Sequence, residues 1–66
     1  MLVNNSRLTV ARIAKGYSQA ELAKLADVSR QTVNAIESGD YNPTLKLCVR
    51  IAKCLDTTLD KLFWEE

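Results

Sequence analysis

SQAELAKLADVSRQTVNAIESG, Ser18 to Gly39, decides how this chain folds. It divides into two short helical stretches with a tight turn between them. Ser18 stands at an N-cap position, and Glu21, three residues on, completes the capping-box pattern in which side chains and backbone N–H groups satisfy one another. The helix so opened ends near Ala26, Asp27 and Val28 form the turn, and Ser29 caps a second helix that Gly39 terminates. Ala23 is the small residue on the inner face of the first helix, flanked by Leu22 and Ala26, while Val28 plugs the turn. On the second helix Val33 and Ile36 define one side. At about 100° per residue, Arg30, Gln31, Asn34, Ala35 and Ser38 gather on the opposite side, which holds no large apolar residue and no acid.

This is how a helix-turn-helix is written, and the polar side of its second helix is the part shaped to enter a DNA major groove. Arg suits a bidentate contact with guanine O6 and N7, and Gln or Asn with adenine N6 and N7. Arg30, Gln31 and Asn34 are therefore the candidate base readers. Free backbone N–H groups at the start of the first helix, beside Ser18 and Gln19, make a ready anion site. Ser29 and Thr32 at the start of the second helix, Ser38 at its end, and Tyr41 and Asn42 beyond it complete the candidate phosphate contacts, with Thr44 to Lys46 placed toward the same strand. For Tyr41 and Asn42, service as ordinary turn residues stands beside that role.

Outward from this segment, a first helix is expected from Asn5 or Ser6 to Lys15, closed by Gly16 in the left-handed conformation. DYNP, residues 40–43, reads as a loop. Thr44 then caps a fourth helix whose Leu45, Cys48, Ile51, Ala52 and Leu55 recur at helical spacing. Thr57, with Asp60 at the box position, opens a short fifth helix carrying Leu59 and Leu62. Residues 1–66 thus read as one all-α domain of five helices. Met1 to Val3 and Phe63 to Glu65 are short, apolar and β-prone, so they could pair as a small antiparallel ribbon, with frayed tails as the alternative.

At 66 residues the chain buries only about 60% of the surface its unfolded form exposes. Domains this small usually need a staple. There is no His, and Cys48 and Cys54 lack the C-x-x-C spacing and fall almost two turns apart in one helix, so neither metal nor disulfide is expected. The cysteines read as small buried apolar residues. Self-association is then the expected staple, through Leu55, Leu59, Leu62, Phe63 and Trp64, unless these fill only the intrachain core. Val10, Ile13 and Ala14 lie away from the Leu8 face of the first helix and are expected to meet the terminal segments.

No apolar run approaches 18 residues and MLVNNSR has no signal-like core, so a cytoplasmic protein without membrane partner is expected. A net charge of +1 means that any attraction for nucleic acid depends on where the charges sit. No histidine, Gly-rich phosphate loop or G-x-S-x-G is present, and the cysteines have no base partner. An enzyme, a cofactor and a small-molecule ligand are not expected.

From about Leu8 to Leu62 the chain resembles the Cro/CI-type (XRE) helix-turn-helix regulators, also called lambda-repressor-like domains. The resemblance rests on YSQAELAKLADVSRQTVNAIESGDYNP and on the L-x-x-C-V-R-I-A rhythm that follows, with Ser18-Gln19, Ala23, Val28-Ser29, Val33, Ile36-Glu37, Gly39 and Pro43 at matching positions. It looks most similar to small stand-alone members of the cytolysin-repressor type, which add a terminal β-ribbon. What the resemblance implies is a five-helix bundle and a homodimeric, sequence-specific repressor of bacterial, archaeal or phage context, bound to a palindromic operator of double-stranded DNA. The alternative is an antitoxin-like or anti-repressor-like module whose main partner is a protein. One departure is Asp27, where many members have Gly; Asp tolerates the left-handed region at some strain. The resemblance also implies that Gln19 clamps a phosphate and that Arg12 and Glu37 form a largely buried ion pair, two solvated charges being the alternative. Lys24, Arg50, Lys53 and Lys61 read as solvated surface.

Overall fold

The computed structural model describes residues 6–63. They form α1 (Ser6–Ala14), α2 (Gln19–Ala26), α3 (Arg30–Ser38), α4 (Leu45–Cys54) and α5 (Leu59–Phe63). No strand occurs among the described residues, and the proposed ribbon partners, residues 1–3 and 64–65, lie outside them.

The caps explain the boundaries. Ser18 Oγ accepts the Glu21 N–H at 3.0 Å while the Glu21 carboxylate accepts the Ser18 N–H at 2.7 Å, closing a complete capping box. Asp27 takes the left-handed conformation (φ 62°), and the Val28 N–H turns back to the Ala23 carbonyl at 2.9 Å. Ser29 Oγ then accepts the Thr32 N–H at 3.1 Å to start α3, and Gly39 (φ 87°) ends it. Thr44 Oγ1 accepts the Leu47 N–H at 3.2 Å at the head of α4.

The fifth helix departs from expectation by its cap. Asp56 is left-handed (φ 56°), and the Thr57 N–H bonds back to the Ala52 carbonyl at 3.0 Å. Thr57 therefore closes α4, and α5 begins only at Leu59. Phe63 ends that helix, so it does not begin an extended segment.

The core joins all five helices. Leu8, Leu22, Val33, Ile36, Ile51 and Leu62 are fully or almost fully buried, with Ala23 at the close approach of α2 and α3. On α4 the inward stripe is Leu47, Cys48, Ile51 and Ala52, continued by Leu55 after the helix. Leu45 is not part of it and is 71% exposed. It begins the helix and stands at the edge of the stripe, about 90° from its centre, so it projects past the core.

Two members of the expected dimer surface are corrected in the same way. Leu55 and Leu62 are 3% and 2% exposed, because α5 folds onto α1 and α4 and these two leucines close that end of the bundle. They have no area left to offer a second copy. Leu59 and Phe63 are half-buried against the core, and Trp64 lies outside the described residues. By contrast Val10 and Ile13 on α1 are 65% and 61% exposed. Cys48 is buried, Cys54 half-buried, and both are free thiols. Burial pushes the Cys48 thiol pKa up, against its own backbone hydrogen bond. No described helix is long and apolar enough to cross a membrane.

Candidate nucleic-acid interface

The second helix of the helix-turn-helix, α3, is held in place on its inner side by apolar packing and on its flank by a buried charge. Val33 and Ile36 bury completely beneath α2, and Glu37, one step round the helix, is 8% exposed. A carboxylate this deep needs compensation, and α1 supplies it. Arg12 Nε donates to Glu37 Oε2 at 2.7 Å and Nη2 to Oε1 at 3.4 Å, so one edge of the guanidinium faces both carboxylate oxygens. The third donor, Nη1, reaches the Tyr17 carbonyl at 2.8 Å and so ties down the loop between α1 and α2.

Gln19, the first residue of α2, joins the same network. Its Nε2 donates to Glu37 Oε1 at 3.0 Å and to Asn34 Oδ1 at 3.2 Å. Burial by itself pushes the Glu37 carboxyl up. Hydrogen bonds from Arg12, Gln19 and Thr9, with the Arg12 charge, outweigh that and hold its pKa below the usual glutamate range. The carboxylate is thus ionised at neutral pH and can only accept hydrogen bonds.

On the outer side of α3, Arg30, Gln31 and Asn34 are all exposed. They fall within about 100° of arc, with Ser38 in the same sector and no acid among them. The structure therefore brings the three candidate base readers onto one open face. The phosphate candidates divide. Ser18, Ser29 and Thr32 cluster at the N-termini of α2 and α3, where Ser29 Oγ and Thr32 Oγ1 are 2.9 Å apart. Tyr41 and Asn42 are exposed in the loop before α4. Ser38 fits less well: its single hydroxyl proton is shared between the Ala35 carbonyl at 3.2 Å and the Asp40 carboxylate at 3.1 Å. A phosphate there would find no donor and would meet a negative neighbour. Gln19 has both Nε2 protons engaged within the protein, one by Glu37 and one by Asn34.

One residue read as solvated is not. Arg50 on α4 donates from Nη1 to the Ala26 carbonyl at 3.2 Å, capping the C-terminus of α2 from another helix. Lys24, Lys53 and Lys61 are exposed as expected. Thr9, which bonds Glu37, was not a candidate. Its place on α1 near Arg12 follows from helical spacing, but its aim at Glu37 depends on how α1 crosses α3. Among the described residues no cluster of metal-ligating side chains occurs.

This geometry has close counterparts. The helix-turn-helix family profile matches residues 10–62 of the chain. The HTH-type transcriptional regulator YgzD of Bacillus subtilis is 47% identical over 51 residues, which span 77% of each protein. The crystal structure of the restriction-modification controller protein C.AhdI from Aeromonas hydrophila superposes with a TM-score of 0.81 at 38% identity, covering 86% of both chains. SinR, the master regulator of biofilm formation solved in complex with DNA, superposes with a TM-score of 0.75 at 31% identity, over 80% of this chain and 86% of its own. The chain belongs to the helix-turn-helix family of DNA-binding transcriptional regulators, which are not enzymes.

Proposed function

We infer that the protein is a repressor that binds a palindromic operator as a homodimer and acts by occluding it. The observation that carries this reading is the open, acid-free face of α3, with Arg30, Gln31 and Asn34 displayed and the rest of the helix fixed by Val33, Ile36 and Glu37. Arg30 and Gln31 would read base edges, while Ser18, Ser29, Thr32, Tyr41 and Asn42 would take phosphates. SinR, which shares the fold, is solved bound to DNA.

A single recognition helix reads only a few base pairs, and a two-fold dimer sets two of them about 34–36 Å apart along one face of the duplex. With Leu55 and Leu62 spent in the core, the described surface proposed for pairing is Leu59 and Phe63 on α5, together with the exposed Val10 and Ile13 of α1, the helix against which α5 packs. The exposure of Val10 and Ile13 also favours the second reading, an interaction module whose main partner is another protein.

Selection of bound sequences from a random duplex pool, run beside sedimentation equilibrium, tests both. The first reading expects a palindrome with half-sites about one helical turn apart, a dimeric mass, and affinity falling steeply with salt. A monomer that enriches no sequence contradicts it and supports the second.

A further inference from the structure

The hydrogen bonds from Arg12 through Glu37 and Gln19 to Asn34 have a direction, and the direction has a consequence at the DNA surface. The Glu37 carboxylate, ionised and bonded to Arg12, can only accept. Gln19 must therefore face it with Nε2, and the 3.0 Å contact with Oε1 fixes which end of the Gln19 amide points inward. The second Nε2 proton goes to Asn34 at 3.2 Å, and a donor there requires Oδ1. Exchanging oxygen and nitrogen on Asn34 would set N–H against N–H. The order of the two amides is thus dictated by a buried charge two residues away along the network.

The geometry points to Gln19 as a positioning residue for specificity. It holds the Asn34 amide with Oδ1 inward, so that α3 offers Nδ2 donors to the groove and selects a base with an acceptor edge, guanine or thymine, where Asn34 faces the DNA. Guanine presents O6 and N7 and thymine O4, all acceptors, whereas cytosine presents the N4 donor. An unrestrained Asn can rotate its amide to accept from cytosine, or pair with adenine through both ends. The Asn34 of this chain, tied to Gln19, disfavours the first and gives up the freedom to optimise the second. The inference rests on the proposed reading of DNA by α3 and deepens it.

The test is selection of bound sequences by wild type, Asn34→Ala, Gln19→Ala and Gln19→Lys. Asn34→Ala identifies the operator position concerned, as the one whose base preference it flattens. Wild type is expected to favour guanine or thymine there, with cytosine disfavoured on the order of tenfold. Gln19→Ala should lose that discrimination at this position and leave the others unchanged. Gln19→Lys, which keeps donors and has no acceptor, should retain it. Discrimination that survives Gln19→Ala, or preferences that flatten at every position alike, would overturn the inference. A wild-type protein that enriches no site overturns it together with the proposed function. A wild-type site with no position sensitive to Asn34→Ala overturns this inference alone. Side-chain amide hydrogen exchange in the free wild-type protein bears on it independently of folding in the variants: the Gln19 protons should exchange slowly, and exchange at the rate of an open amide would contradict the network.

Discussion

The two ends of this small bundle are held together by different means. Where α1, α2 and α3 meet, directional bonds converge on one carboxylate: Arg12, Gln19 and Thr9 all donate to Glu37. Where α5 folds back on α1 and α4, the join is apolar, with Leu8, Leu55 and Leu62 buried together in the core. Apolar packing is non-directional and tolerates small slides. A hydrogen-bonded ion pair fixes angle and register. The directional end is the one that carries the exposed face of α3, so the part of the molecule that needs an accurate orientation is the part that has one.

Breaking the directional end should have the largest effect. Arg12→Ala strands the Glu37 carboxylate inside and should cost about 3–5 kcal/mol, a fall in Tm of more than about 12 °C. Wild-type melting of Arg12→Ala would show that the pair is not coupled to folding. Replacing both partners by apolar residues, as in R12M/E37L, should restore much of that stability, because no unpaired charge remains. At the other end Leu62→Ala should cost about 2–5 kcal/mol through the cavity it opens. Yet it should leave the sequence preference of the folded protein unchanged, since nothing on α3 is oriented by it. A changed operator preference in Leu62→Ala would erase the distinction between the ends.

Acid separates them as well. The folded pKa of Glu37 lies below the unfolded one, so the stability it contributes is fully present above about pH 4.3 and is lost as pH falls through the folded value. Unfolding followed by denaturant at descending pH should show that loss in wild type and much less of it in R12M/E37L. Equal slopes would assign acid sensitivity to other groups. The smallest effect belongs to the turn. Asp27 holds φ at 62°, where glycine is easier. Asp27→Gly should therefore stabilise by about 0.5–1 kcal/mol, read as a rise in the denaturation midpoint.

Much of this was legible in the residues. The caps at Ser18, Ser29 and Thr44 are local chemistry, settled within four residues of chain, and they placed α2, α3 and α4 closely. The division of α3 follows from helical periodicity alone. What periodicity does not report is where the core stops. Leu45 has the spacing of a core residue but lies past the edge, and Leu55 and Leu62, apolar on a bundle too small to seem self-sufficient, are consumed inside it. Left-handed Asp56 and the hold of Arg50 on the Ala26 carbonyl were equally hidden. The first lacks the glycine that marks such turns, and the second joins residues distant in sequence, through a helix-helix crossing that spacing does not specify. Gln19 was placed correctly at the start of α2, but its partners lie on another helix, and they change what its side chain can do.

The central claim is that the open face of α3 reads base edges. Its most direct test is the ratio of affinities for the selected operator and for scrambled duplex, measured for wild type and Arg30→Ala at one salt concentration. Arg30→Ala should lower operator affinity by about 1–3 kcal/mol while scrambled binding changes far less, so the ratio collapses toward one. An equal loss on both duplexes, with the ratio intact, would make Arg30 a phosphate contact and contradict the account.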